Sequence, residues 1–437
     1  MLSNVIYKEL ESGYCIVYNK LTRETLLAKG DLKNYSYPEL QSLFSFDVNK
    51  DSFDARNVLT TIVINITEAC NLRCKYCARY KENYDNNQTI TQELLDEIIY
   101  KASQYAKTIE EKVVVQFHGG EPLIHFDLIR NAVTKNKQDN HLLDYRIQTN
   151  ATLLSDEILS FCKEYDIHLG VSIDGPPKLN AITRRYANGN PIDSVIQEKL
   201  LKIKEYLPKH TISCLCVLST ANVDYAEEVL DYIYKNSIDD VSILPLYPDF
   251  SNCITDDNHI IPRTSDMIGF STKVFDIWLN ELEKGRMISI PNFQIWFWNL
   301  MGKNANFILN NTSCGVGESM VFIDKDGEIY PCGPFSYEKA FSMGNIKNTP
   351  FIEKISETDI YKDFKNRNTN NIEGCNDCAF QGICLGGCPA NSYLKYKDIF
   401  QKDPFCEYWE GVISHVIKRI IDKPEICEMI PDYSIRL

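Results

Sequence analysis

The stretch 61-TIVINITEACNLRCKYC-77 decides the fold. Thr61 to Ile66 is a short, β-branched apolar run that reads as a buried strand, and it passes at once into a loop carrying Cys70, Cys74 and Cys77. Three thiolates at the spacing CxxxCxxC can hold three corners of an iron-sulfur cube and leave one iron for another ligand. A closed zinc site would need a fourth ligand at a recognisable spacing, and no histidine lies close enough along the chain to supply it. On this motif alone, zinc and reduced thiols both stay open as readings.

Downstream, the periodicity switches repeatedly between strand and helix. Strand-like runs fall at 113–117, 145–149, 169–173, 212–218 and 241–246, with helical patterns between them at 92–106, 126–137, 156–165, 194–206 and 225–235. Thr91 and Ser155 are expected to cap the first and third helices. Six such units predict an α/β fold with parallel strands that read as apolar runs buried on both faces. The expected architecture is a partial (β/α)6 TIM-like barrel over 58–285, with functional groups at the C-terminal ends of its strands. A hairpin-bearing lead-in (1–57) precedes it. A bridge (286–313) holding Trp296 and Trp298 follows, then a small cysteine-rich domain (314–437) with a hairpin at Asp326-Gly327 and a final helix near 409–421.

The strand ends carry polar groups. The second ends in His118-Gly119-Gly120-Glu121, the third in Gln148-Thr149-Asn150, and the fourth in Ser172-Ile173-Asp174. Two glycines permit close approach to a ligand, and Glu121 can accept a hydrogen bond from an ammonium group. Each segment alone is also an ordinary turn; their shared place at strand ends is the signal. His118 reads as a neighbour of the site rather than its base.

Bulk composition narrows the class. The chain has 437 residues, a net charge of -14 and sixteen cysteines. Such acidity opposes a broad nucleic-acid surface. No basic, apolar signal segment opens the chain and no run approaches eighteen apolar residues, so a cytoplasmic protein without a membrane span is expected. In a reducing compartment, clustered cysteines more often hold metal than form disulfides. Cys214 and Cys216 share one strand face and read as core thiols, while Cys253 lies in a polar loop near the expected site mouth.

A second cysteine group comprises Cys314, Cys332, Cys375, Cys378, Cys384, Cys388 and Cys406. Its gaps of two, five and three residues, set among Gly382, Gly386 and Gly387, do not suit an apolar core. A multi-zinc interaction module is the alternative to an iron-sulfur domain. Asp324 and Asp326 read as parts of the hairpin turn.

Over Leu59 to Leu246 the chain resembles the radical S-adenosylmethionine (SAM) enzymes, on Cys70, Cys74, Cys77 and Tyr76. The resemblance implies a 4Fe-4S cluster whose open iron is chelated by SAM, with cofactor contacts from Tyr76, Gly119, Gly120, Glu121, Asn150, Ser172, Asp174 and Arg184. It further implies that reduction cleaves SAM to a 5'-deoxyadenosyl radical, with an electron donor such as flavodoxin or ferredoxin. Over 314–406 the pattern resembles the SPASM extension, implying two auxiliary 4Fe-4S clusters and three in all. In that family Cys375, Cys378, Cys384 and Cys406 would hold the outer one, and Cys314, Cys332 and Cys388 three corners of the inner one. Phe307, Ile308 and Leu309 stand where sulfatase-maturing relatives carry an eighth cysteine. Gly333 stands where they carry an acidic base. These departures point the expectation to oxidative crosslinking of a ribosomally synthesised, Cys-containing peptide, most simply a thioether, with a separate leader-binding protein as a further expected partner. Formylglycine formation by a sulfatase-maturing enzyme and carbon-carbon or carbon-oxygen crosslinking are the alternatives.

Overall fold

The computed structural model describes residues 5–10, 13–20, 25–30, 58–77, 88–208, 212–246, 260–300, 309–310, 313–348 and 355–430. Cys253, Phe307 and Ile308 lie outside the described residues. The chain divides into two compact units, one drawn from 57–262 and 315–365, the other from 1–56, 263–314 and 366–435. The described chain opens with β1 (Val5–Glu9), β2 (Tyr14–Asn19) and β3 (Thr25–Lys29), an antiparallel sheet of the second unit.

In the first unit, β4 (Thr61–Thr67), β5 (Val113–Gly119), β6 (Leu143–Thr149), β7 (His168–Ser172), β8 (Ile212–Leu218) and β9 (Asp240–Pro245) lie side by side in sequence order, all parallel. The connections carry α1 (Gln92–Ile109), α2 (Phe126–Lys135), α3 (Asp156–Glu164), α4 (Pro177–Thr183), α5 (Asp193–Tyr206) and α6 (Ala226–Lys235). Thr91 accepts the Leu94 N–H and Ser155 the Ile158 N–H, capping α1 and α3 as their sequences predict. Helix α1 buries Leu94, Leu95, Ile98, Ala102 and Ala106, the stripe that its 3.6-residue period places on one face.

The strands differ from the expected apolar runs. Val113, Val115 and Phe117 are buried on β5, as are Leu143, Tyr145 and Ile147 on β6, whereas Gln116, Arg146, Gln148, His168 and Ser172 on the alternate positions of β5 to β7 are only half-buried. One face is therefore a dry core, with Phe117 stacked on Tyr145 at 5.9 Å between centroids, and the other is polar.

The sheet is also wider than six strands. After β10 (Leu309–Asn310) and β11 (Ser313–Cys314), a short antiparallel pair, β12 (Met320–Ile323) lies parallel to β4, and β13 (Ile329–Tyr330) runs antiparallel to β12. The order is β13-β12-β4-β5-β6-β7-β8-β9. The Asp326-Gly327 hairpin forms where it reads, with Gly327 at φ 89°, but it extends the α/β sheet through Val63, Phe322 and Tyr330 packed together.

The second unit contains α7 (Thr264–Glu283) and α8 (Pro291–Leu300), and, beyond α9 (Asp359–Asn366), helices α10 (Gln381–Cys384), α11 (Pro389–Tyr396), α12 (Cys406–Asp422) and α13 (Ile426–Met429). Trp296 and Trp298 are buried on α8, and Trp296 meets Trp409 edge-on at 5.7 Å. The first sheet is tied to α12 by the Lys8–Glu410 ion pair and a hydrogen bond from Tyr14 to Asp422. Among the described residues no helix is long and apolar enough to cross a membrane.

Candidate functional site

Cys70, Cys74 and Cys77 lie in the loop that leaves the C-terminal end of β4, where the parallel sheet predicts a site. The loop is strapped to residues 183–187: the N–H groups of Arg73 and Lys75 donate to the carbonyls of Arg185 (2.7 Å) and Thr183 (2.9 Å), and Ala187 N–H to Asn71 O (3.1 Å). Side chains complete the strap. Asp174, just past β7, accepts the Tyr76 hydroxyl at 2.6 Å, Thr183 Oγ1 at 2.9 Å, Arg184 Nε at 3.0 Å and Arg184 Nη2 at 3.2 Å. Asp174 is 1% and Arg184 5% exposed, so this is a buried, two-pronged ion pair under the loop. Burial pushes the Cys74 thiol up to about 12, while the Arg184 cation draws it down and the neighbouring Cys77 and Cys70 raise it again. The three thiols thus share one electrostatic field, and loading a metal must displace their protons.

Glu121 has no exposed surface. One carboxylate oxygen accepts Thr149 Oγ1 at 2.7 Å and Leu123 N–H at 3.2 Å, and the other accepts Asn150 N–H at 2.7 Å, so the group stitches the end of β5 to that of β6. Burial lifts its pKa to about 7 against the pull of these donors. Gly119 and Gly120 permit a close approach, but by backbone: a Cβ on Gly119 would stand 2.5 Å from Thr67 O, and one on Gly120 2.2 Å from Ala69 O. Asn150 reaches the cysteine loop through Asn71 Oδ1 (2.9 Å) and Cys70 Sγ (3.8 Å). Ser172 accepts from Gln148 Nε2 at 3.2 Å on the polar face. His118 accepts its neighbour Gly119 N–H through Nδ1 at 2.7 Å.

A layer that the sequence reading missed lines a recess on that polar face: Gln116, Arg146, Gln148, His168 and Ser213, around Gly170. Asp144 lies 3.1 Å from the Arg146 guanidinium and 3.6 Å from His168 Nε2. The signal was present as every-second-residue polarity within strands that otherwise read as apolar. Cys332 follows β13, which runs back toward the N-terminal end of β4. At ~3.3 Å rise per residue, the length of β4 sets its end of the sheet ~20 Å from the Cys70 loop.

In the second unit Cys375, Cys378, Cys384 and Cys406 line one recess, together with Lys402 and Trp409. Burial raises the pKa of all four, most strongly Cys384, whose thiol is raised further by Asp403 and then by the other three cysteines. Lys402 draws Cys406 back down, and Cys406 is the first residue of α12, where the helix dipole favours a thiolate. Cys388 and Cys314 belong to the same unit and also influence one another, whereas Cys332 belongs to the first. Among the described residues no three His, Cys, Asp or Glu side chains converge tightly enough to share one metal ion. Four thiolates in one recess fit the donor set of a four-iron cube, one per iron.

Residues 64–233 match the radical SAM superfamily, and residues 314–379 match SPASM, an iron-sulfur cluster-binding domain. The cysteine-type anaerobic sulfatase-maturating enzyme of Clostridium novyi is 25% identical over 83% of this chain and 96% of its own length. Two solved structures share the fold. One is anSMEcpe with bound AdoMet and Cp18Cys peptide, at TM-score 0.72 and 20% identity over 85% of this chain and 99% of that one. The other is Streptococcus suis SuiB bound to its precursor peptide SuiA, at TM-score 0.60 and 16% identity over 92% and 98%. This chain is a radical SAM/SPASM oxidoreductase.

Proposed function

We propose that this enzyme oxidises a side chain of a peptide or protein. The observation that carries the reading is the three-thiol loop at the end of β4, held from below by the Tyr76–Asp174–Arg184 contacts, in a chain that also builds a four-thiol recess. In this reading Cys70, Cys74 and Cys77 hold one 4Fe-4S cluster, Cys375, Cys378, Cys384 and Cys406 a second, and Cys314, Cys332 and Cys388 contribute to a third. Cluster and SAM together supply the 5'-deoxyadenosyl radical that abstracts hydrogen from the substrate. The chain's own residues orient and enclose. Gly119, Gly120 and Ser172 face the cofactor, Asn150 donates to the Cys70 sulfur, and Glu121, Asp174 and Arg184 hold the strand ends and loop in register. A reduced flavodoxin or ferredoxin serves as electron donor.

For the bond formed, the better-supported chemistry is sulfatase-type maturation, oxidation of a cysteine or serine side chain to Cα-formylglycine. Its support is the sulfatase-maturating relative, which this chain spans almost whole. The match of 314–379 to an iron-sulfur domain leaves the zinc module without comparative support.

One observation favours a second reading, oxidative crosslinking of a ribosomal peptide through a cysteine thioether or a carbon-carbon or carbon-oxygen bond. Gly333–Tyr337, directly after Cys332, is a 3-10 turn with no carboxylate in it. Asp324 does not replace one, because its Oδ1 accepts the N–H groups of Asp326 and Glu328, both at 2.9 Å, and so closes the hairpin.

The test is anaerobic reconstitution with iron and sulfide, then incubation with SAM, reductant and two peptides, one with a sulfatase-type Cys or Ser motif and one Cys-rich. Mass spectrometry with fragmentation reads the products. An aldehyde at the motif supports maturation, and a two-hydrogen loss localised to a crosslink supports the second reading. SAM cleavage with neither peptide altered, across a panel of such substrates, would overturn the peptide reading.

A further inference from the structure

Arg367 sits in the polar sequence Asn366-Arg367-Asn368, and it is only 1% exposed. Its Nε donates to Ile399 O, its Nη2 to Gly386 O at 3.0 Å and its Nη1 to Gly387 O at 3.2 Å, with Ser392 Oγ 3.5 Å from Nη2. Every acceptor is uncharged. A guanidinium taken out of water needs opposite charge nearby, and carbonyl dipoles supply only part of it. Burial lowers the pKa of Arg367, and the acidic groups whose charge acts in the opposite direction are Cys314, Cys388, Asp403 and Cys375. Asp403 is already committed: it accepts Cys388 N–H at 2.8 Å, Phe405 N–H at 2.9 Å and Trp409 Nε1 at 3.1 Å.

Two of the three bonded carbonyls, those of Gly386 and Gly387, belong to the turn that carries the chain from Cys384 to Cys388. Gly386 (φ 83°) and Gly387 (φ 68°) are both left-handed, and a Cβ on Gly387 would stand 2.5 Å from Asp403. Arg367 therefore holds the turn that joins Cys384 to Cys388, one cysteine from each proposed ligand set.

We propose that Arg367 is a positioning residue whose buried cation offsets the negative charge of the thiolate-bound auxiliary clusters and thereby sets their reduction potential. The proposal rests on the reading of these cysteines as cluster ligands. Reduction adds one negative charge to a cluster, and a fixed cation in a low-dielectric interior favours that more negative state. With Arg367 present, an electron leaving the substrate finds a better acceptor.

The experiment uses the full chain carrying Cys70→Ala, Cys74→Ala and Cys77→Ala, so that only auxiliary clusters give signals. Within it, Arg367→Gln keeps a neutral donor and Arg367→Lys keeps the charge. Iron and sulfide content and a spectroscopically monitored redox titration are the readouts. The midpoint potential should fall in Arg367→Gln by at least ~59 mV, a tenfold change in a one-electron equilibrium, and by less than that in Arg367→Lys. Loss of iron from Arg367→Gln with full loading of Arg367→Lys equally supports a charge requirement. An unchanged potential in Arg367→Gln, an equal fall in both variants, or equal loss of iron from both overturns the proposal. If the parent without Arg367 substitutions binds no iron, the cluster assignment fails first, and the proposal with it.

Discussion

The Tyr76 hydroxyl donates to Asp174 Oδ2 at 2.6 Å, joining a residue between two cysteines of the β4 loop to the end of β7. That carboxylate also holds Arg184, so one buried acid organises the loop, its strap and the nearest cation. Removing the hydroxyl by Tyr76→Phe should cost about 1.5–3 kcal/mol, the range for hydrogen bonds to charged groups. Arg184→Met should cost about 3–5 kcal/mol because it leaves Asp174 buried without its counter-ion. Anaerobic denaturant unfolding of the metal-free protein measures both. Equal, near-zero losses would mean that the backbone strap alone holds the loop.

Gly120 has no room for a methyl group, since the three atoms nearest to a Cβ there, Ala69 O, Glu68 O at 2.6 Å and Ala69 C at 2.7 Å, are all backbone. Gly120→Ala is expected to destabilise by about 3 kcal/mol or more and to disorganise the cysteine loop. Gly269, within α7, has nothing within 4 Å of such a Cβ. Gly269→Ala should therefore stabilise by up to about 1 kcal/mol through helix propensity. Denaturation midpoints of the two variants, moving in opposite directions, are the expected result.

Glu121 gives a pH dependence of defined sign. Its folded-state pKa of about 7 lies above the unfolded value near 4.5, so its contribution to stability is fully present below pH 4.5 and is lost as pH rises to 7. The loss amounts to about 3 kcal/mol. Unfolding free energies of metal-free protein between pH 4.5 and 7.5 should show this decline relative to Glu121→Gln, which cannot ionise. Parallel curves for the two proteins would contradict it.

The cysteine assignments separate by product. Cys74→Ala should abolish 5'-deoxyadenosine formation and, if the proposed three cubes are present, lower bound iron by about one third. Cys388→Ala should keep SAM cleavage while losing the modified peptide. Chromatographic assay of 5'-deoxyadenosine beside peptide mass spectrometry distinguishes the two, and wild-type peptide turnover by Cys388→Ala would remove that residue from the proposed role.

Much of this site was legible because its signals are local. Cysteine spacing, the caps at Thr91 and Ser155, and the Asp326-Gly327 hairpin each depend on a few neighbouring residues, and the structure has the caps and hairpin where they read. The polar strand face has a weaker signature, a polar residue at every second position within strands whose other positions are apolar. The pairing of β12 with β4 had no local signature, because parallel partners far apart in the chain select one another only when the sheet assembles.

The sequence by itself determined the family: three cysteines after a strand, a second cysteine series, and α/β alternation, all set by covalent spacing and periodicity. Only the tertiary structure decided what the charged residues do. Glu121, Asp174 and Arg184 are held by protein partners from other strands and loops, and Arg367, on which the sequence is silent, is buried against backbone carbonyls. The physical reason is that a buried charge is defined by the groups that replace its water, and those come from distant parts of the chain.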